Sequence, residues 1–393
     1  MALRAGGQCG VRSLALYLKS AAVLALSGIA LVAVLYLAAP ESLLLAFNIA
    51  YQHLRSMEHI TPTTFRYIPK NTPYDRWLED SRSSLPVFEG MLIEDVKSIE
   101  LKPWLEMGEG VKGLYLRFAD YQITDGRLLQ IPGNGETAPL RHLFEMVVYA
   151  LDGPGYTQLQ QDGKPAQQVE WDRGSIFSIP LNVSYQHFNR SGEPLRLLAV
   201  TSFPMVINSW NNLDFVQANP FVFYDRYNGE LDYFSETVQV KRKLVQTNLV
   251  ENASQYPLSS HSHRGRGARV MGFAMAGNNM LNLHVSSSPA RTNRRAHRHT
   301  SDAFILVLTG QGYSVTWPES DYEKRIRVDW QPGTLFAPPT YWYHQHFNAG
   351  AKEARYLGIN VPNLVRRLGL RLEDELAKDL PDLQREWLEE IQS

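Results

Sequence analysis

Arg295-Ala-His297-Arg-His299-Thr-Ser-Asp302, answered downstream by Gly333-Thr-Leu-Phe-Ala-Pro-Pro339-Thr-Tyr-Trp-Tyr-His344-Gln-His346-Phe-Asn348, decides how this chain is read. Residues i and i+2 of a strand project from the same face, so His297 and His299 present both imidazoles to one side. A third histidine arriving from another strand would complete one face of a coordination sphere and leave the other open. That arrangement suits a metal that does chemistry rather than one that staples a fold.

The same pattern occurs earlier in the chain. Arg141-His-Leu-Phe-Glu-Met-Val-Val-Tyr-Ala-Leu-Asp-Gly-Pro-Gly-Tyr156 aligns without gaps to Arg298-His-Thr-Ser-Asp-Ala-Phe-Ile-Leu-Val-Leu-Thr-Gly-Gln-Gly-Tyr313. Val169-Glu-Trp-Asp-Arg-Gly174 then matches Val328-Asp-Trp-Gln-Pro-Gly333, and Pro180 to Asn189 matches Pro339 to Asn348. Three blocks in one order at nearly constant offset mean that one domain is carried twice. Its apolar runs are short and β-rich, as in Gly113–Phe118, Met146–Leu151, Phe304–Leu308 and Tyr313–Trp317, with Gly, Pro, Asn and Asp between them. Many short strands with turn signals predict an all-β sandwich or barrel.

The 393 residues suffice for two cores. A net charge of -1 gives no basic excess for a nucleic-acid partner. The single cysteine, Cys9, excludes an intramolecular disulfide and a thiolate zinc site. Residues 20–40 carry no charge, which matches the ~20 apolar residues of a membrane span; a cleaved signal peptide is the competing reading. Arg4, Arg12 and Lys19 precede this stretch, so the positive-inside rule predicts a single-pass protein with a cytoplasmic amino terminus and its barrels on the opposite, periplasmic side. The predicted organisation is an amino-terminal segment 1–45 with a transmembrane helix, a linker 46–97 wrapping the first barrel, a first β-domain 98–245, a second 246–362, and a helical tail 363–393. In that tail Leu364–Leu372 and Leu383–Ile391 have helical spacing.

The blocks resemble the two motifs of the cupin superfamily, small jelly-roll barrels. The second repeat fits the first motif through His297, His299 and Gly310, and the second through Gly333, Pro339, His344 and Asn348. The family's usual acidic ligand would fall at Ala303 or Phe304, neither of which binds a metal, and strand parity turns Asp302 to the other face. His-Arg-His-Thr at 297–300, with the Trp- and Tyr-rich stretch at 339–348, is similar to the gentisate and hydroxynaphthoate ring-cleaving dioxygenases, a three-histidine group. That resemblance implies a bicupin with Fe(II) held by His297, His299 and His344, acting on a hydroxylated aromatic acid and dioxygen. Ligand type alone also admits Mn, Ni, Cu or Zn. His346, two residues past His344, is the candidate acid, base or hydrogen-bond donor; Tyr343 and Asn348 read as wall or supporting residues. In the first repeat Leu140 stands for His297 and Tyr185 for His344, which predicts a metal-free barrel, although Glu145 and His187 could give a weak site. His261, His263, Arg264, Arg266 and Arg269 read first as a solvated basic loop and second as a cover for the pocket. A metal-dependent isomerase or lyase and a non-catalytic ligand-binding cupin stay open as alternatives, as does a homo-oligomer.

Overall fold

The computed structural model describes residues 71–393 except 85, 276–278, 320, 371, 372, 376–379 and 393. Alternation decides the local structure: along Gln167–Trp171 and Ser184–Asn189 every second residue is buried, as expected of strands with one face on a core. Met146–Ala150 and Ile176–Ile179 are buried on both faces and run through the interior.

In the first repeat the strands Lys112–Phe118, Asp125–Ile131, Leu195–Thr201, Met146–Ala150 and Ile176–Ile179 lie side by side. Ser184–Asn189, Gly155–Gln160 and Gln167–Trp171 form a separate sheet, and the two share the core built on Tyr115, Leu129, Leu159, Trp171 and Phe177. The second repeat places Arg269–Ala274, Asn282–Ser288, Ala354–Asn360, Ala303–Thr309 and Leu335–Phe336 in the same order. Its other sheet runs Ile326–Trp330, Gly312–Trp317, Tyr343–Asn348, His297–His299.

The repeats are interlocked. Leu92–Ile93, which precedes the first repeat, pairs with Leu335–Phe336 of the second, while Leu249–Val250, which precedes the second, pairs with Ile176–Phe177 of the first. A shared apolar cluster, including Leu116, Phe118, Leu198, Phe273, Phe304 and Leu357, fills the space between the barrels.

Two buried carboxylates tie the pair in a reciprocal way. Asp302 accepts hydrogen bonds from the Ile123 and Thr124 amides and the Thr124 hydroxyl at 3.0–3.2 Å. Its counterpart Glu145 accepts from the amides of Asn279, Met280 and Leu281 at 2.5–2.9 Å. Each acid therefore holds the turn between the first two long strands of the other barrel. This parity keeps Asp302 off the histidine face, and it removes Glu145 from any site beside His187.

The tail is helical over Pro362–Arg367 and Pro381–Glu390, and between them Glu373–Glu375 pairs with His297–His299. The first helix is shorter than the spacing predicts because the chain turns into that strand. Leu383 and Trp387 dock on Tyr313 and Phe347.

The predicted span at 20–40 and the segment 1–45 lie outside the described residues. Among the described residues no helix is long and apolar enough to cross a membrane. Pro381–Glu390, at 10 residues, reaches about 15 Å, half of a ~30 Å hydrocarbon core. To that extent the expectation of a single-pass protein with its barrels across the membrane is corrected: no described helix supplies the crossing.

Truncating Asp302 strands the buried Thr124 amide and hydroxyl and the half-buried Ile123 amide, each worth about 1 kcal/mol or more when left unsatisfied. Asp302→Ala should therefore lower unfolding free energy by ~3 kcal/mol in denaturant titrations, with Asp302→Asn losing less. Equal stability of Asp302→Ala and the parent would refute the clamp.

Candidate metal centre

His297 lies directly across from His344 in the antiparallel pairing of their strands, and His299 follows on the same face. The ring centroids are 4.4 Å apart for His297 and His344, 4.9 Å for His299 and His344, and 5.8 Å for His297 and His299. One ring nitrogen from each lies within 4.8 Å of the others.

The outer nitrogens are held by main chain. His297 Nδ1 sits 3.1 Å from the Arg295 carbonyl, His299 Nδ1 2.8 Å from that of Ser301, and His344 Nδ1 3.1 Å from that of Trp342. A carbonyl can only accept, so each neutral ring carries its proton on Nδ1 and keeps the Nε2 lone pair for the shared centre. Burial, reinforced by the neighbouring imidazoles and Arg264, pushes His297 and His344 well below the usual histidine range. Three neutral nitrogen donors with fixed tautomers fit a divalent transition metal.

A cavity of about 280 Å³ opens beside this trio, and comparison with the first barrel shows why. There Phe144 occupies the position of Ser301 and Met146 that of Ala303, as Tyr115 does for Gly272 by strand register. Phe144 stacks on His142 at 3.6 Å, and the Tyr185 hydroxyl lies 3.0 Å from His142 Nε2. Large side chains fill one barrel, whereas Ser301 and Ala303 line the opening of the other.

His346 lines the cavity with Nδ1 2.8 Å from Ser314 Oγ, which accepts from Trp330 Nε1 at 3.1 Å. The first barrel repeats this chain as His187, Thr157 and Trp171. The fold itself thus sets the orientation of His346. Burial, then Arg294, lowers its pKa to about 3 and keeps it neutral.

Among the lining residues that escaped the sequence reading are His284 and Tyr356. A period-2 signal was present, since Asn282, His284, Ser286 and Ser288 alternate with Leu283 and Val285 and mark a polar barrel interior. Arg294, which from sequence could equally be a surface residue at the strand entrance, is buried with its guanidinium 5.1 Å over the Tyr356 ring. His261 and Arg264 also line the cavity, which corrects their reading as a solvated loop. Asn348 is no pocket wall. Its amide donates to the carbonyls of Ser288, Pro289 and Lys352, a turn staple repeated by Asn189 on Ile131, Pro132 and Glu193. Tyr343 lies outside the cavity, stacked on Trp317 under Arg298.

No protein-family model matches the chain. It is 24% identical over 332 residues to a 5-aminosalicylate 1,2-dioxygenase of Comamonas sp., a match that spans 78% of this chain and 83% of that protein. Among solved structures it is similar to the salicylate 1,2-dioxygenase of Pseudoaminobacter salicylatoxidans in adducts with gentisate, with a TM-score of 0.49, 10% identity, and 85% of this chain and 94% of that one covered. A Bacillus subtilis oxalate decarboxylase variant gives a TM-score of 0.48 at 12% identity, over 81% of this chain and 90% of that one.

His142, His187, His284 and His346 all have pKa values lowered to about 3 by burial. A depressed histidine stabilises the fold above its unfolded value near 6.5, and that stability is lost as pH falls below it. Asp125 and Asp302, raised by burial to about 6, act in the opposite direction. The histidines dominate, at about 2 kcal/mol each between pH 7 and pH 5. With His297 and His344 lowered as well, unfolding free energy should fall by ~5 kcal/mol or more over that range. A flat profile would contradict the neutral buried imidazoles.

Proposed function

Because the chain is a bicupin with dioxygenase-like relatives, we propose that it is a non-haem Fe(II) dioxygenase whose second barrel cleaves the ring of a hydroxylated aromatic acid or a related chelating compound. The observation that carries this reading is the all-imidazole donor set. His297, His299 and His344 would hold the metal through Nε2, and Ala303 stands where an acidic ligand would otherwise contribute charge. Neutral ligands leave the ion's full charge for the substrate, which favours an anionic chelator at the open positions. Bound Fe(II) would supply the redox chemistry that activates dioxygen toward an electron-rich ring.

The protein's own contribution is orientation and charge. The carbonyls of Arg295, Ser301 and Trp342 fix the three rings, so little reorganisation is needed when a ligand arrives. Arg264 adds positive potential at His297 and His344. His346, neutral and oriented by Ser314, is placed to exchange a proton with a bound hydroxyl through the ring nitrogen that Ser314 does not engage. Ile305 and the methyl of Ala303, which line the cavity, offer a ring an apolar face.

The chain reconstituted anaerobically with Fe(II) should consume oxygen in proportion to substrate when offered salicylate, 5-aminosalicylate, gentisate and hydroxynaphthoates at an oxygen electrode. His344→Ala should weaken metal binding by more than about 100-fold and abolish uptake, while His187→Ala should retain both. Product formed under strict anaerobiosis would replace the oxygenase with Lewis-acid chemistry. A metal-free protein after reconstitution would remove both.

A further inference from the structure

From Arg294 we infer a second anion-binding position in the cavity, so that the natural ligand carries two separated acidic groups, one chelating the metal and one held at Arg294. This rests on the proposed metal reading for the first group only. Arg294 is 6% exposed and lines the same cavity as the three histidines. Its amide donates to the His346 carbonyl and its Nε to Ser288 Oγ at 3.3 Å, while Nη2 makes no hydrogen bond. No carboxylate lies among the described residues that line the cavity. A guanidinium stays charged at any working pH, and a buried charge without a counter-ion is costly.

The first barrel shows how the fold resolves the same problem when no ligand is needed. Its interior cation, Arg127, has Asp125 as an internal counter-charge. By strand register Asp125 corresponds to Asn282, a neutral residue that accepts from the Asn363 amide. Among the described residues, the filled barrel pairs its cation with an acid from within, whereas the lining of the open one offers Arg294 no carboxylate. Around Arg294 the cavity wall is polar and suited to a carboxylate. Tyr356 lies beneath the guanidinium, and the His284 ring is 6.4 Å from that of Tyr356. Gly358 leaves room for His284, since a Cβ there would come within 2.5 Å of its ring.

The test is calorimetric binding to the full chain, Fe(II)-loaded under argon and metal-free. The probes are salicylate, 4-hydroxyisophthalate and 2-hydroxyterephthalate, which differ in the presence and position of a second carboxylate. At least one dicarboxylate should bind the unmodified protein 10-fold or more tighter than salicylate. Arg294→Gln should reduce the ratio of dicarboxylate to salicylate affinity to near one, and Arg294→Lys should keep part of it. Equal affinity of all three probes for the unmodified chain would overturn the inference without any variant. So would an Arg294→Gln that weakens salicylate and the dicarboxylates alike. If salicylate binds equally with and without Fe(II), the metal reading fails instead, and the gain from the second carboxylate is still measured on the metal-free chain.

Discussion

Three main-chain carbonyls, each accepting from the Nδ1 of one histidine, are the constraint on which the candidate site depends. They fix the tautomer as well as the ring plane, so that His297, His299 and His344 offer lone pairs to one point. The carbonyls belong to residues two positions away from each histidine, at the ends of short strands. The geometry is therefore set by local backbone, and the backbone by the barrel. A ring that had to find its partner on a distant side chain would depend on far more of the structure.

The doubled domain separates what the fold requires from what the chemistry requires. Both barrels share the Trp–hydroxyl–His chain, the asparagine staple and the buried acid that holds the neighbour's turn. Those features belong to the architecture. The second barrel alone has small residues at 301 and 303 and imidazoles at 297 and 344. Exchange of Leu92–Ile93 and Leu249–Val250, with the Asp302 and Glu145 contacts, makes the first barrel a load on which the second is built. Phe144, Tyr185 and Arg127 fill the first barrel's interior with aromatic and cation–π contacts.

Much of this was legible in the sequence because strand parity is local. The face shared by His297 and His299, the exclusion of Asp302 from it and the doubling of the β-domain all follow from counting residues. What parity could not give was the far side of the cavity. His284 and Tyr356 sit on strands that carry no motif, and they meet the histidines only through strand order. The sequence leaves Arg294 open as a surface residue because charged side chains usually are; in the structure it is buried over Tyr356. Glu145 looked like a ligand because chain proximity says nothing about a turn 134 residues away.

The most direct measurement of the central claim is the X-ray absorption spectrum of the Fe(II)-reconstituted chain. The account predicts three imidazole ligands with their characteristic outer-shell scattering, and no protein carboxylate among the ligands. A spectrum with fewer than three imidazoles, or with a carboxylate from the chain on the metal, would contradict it.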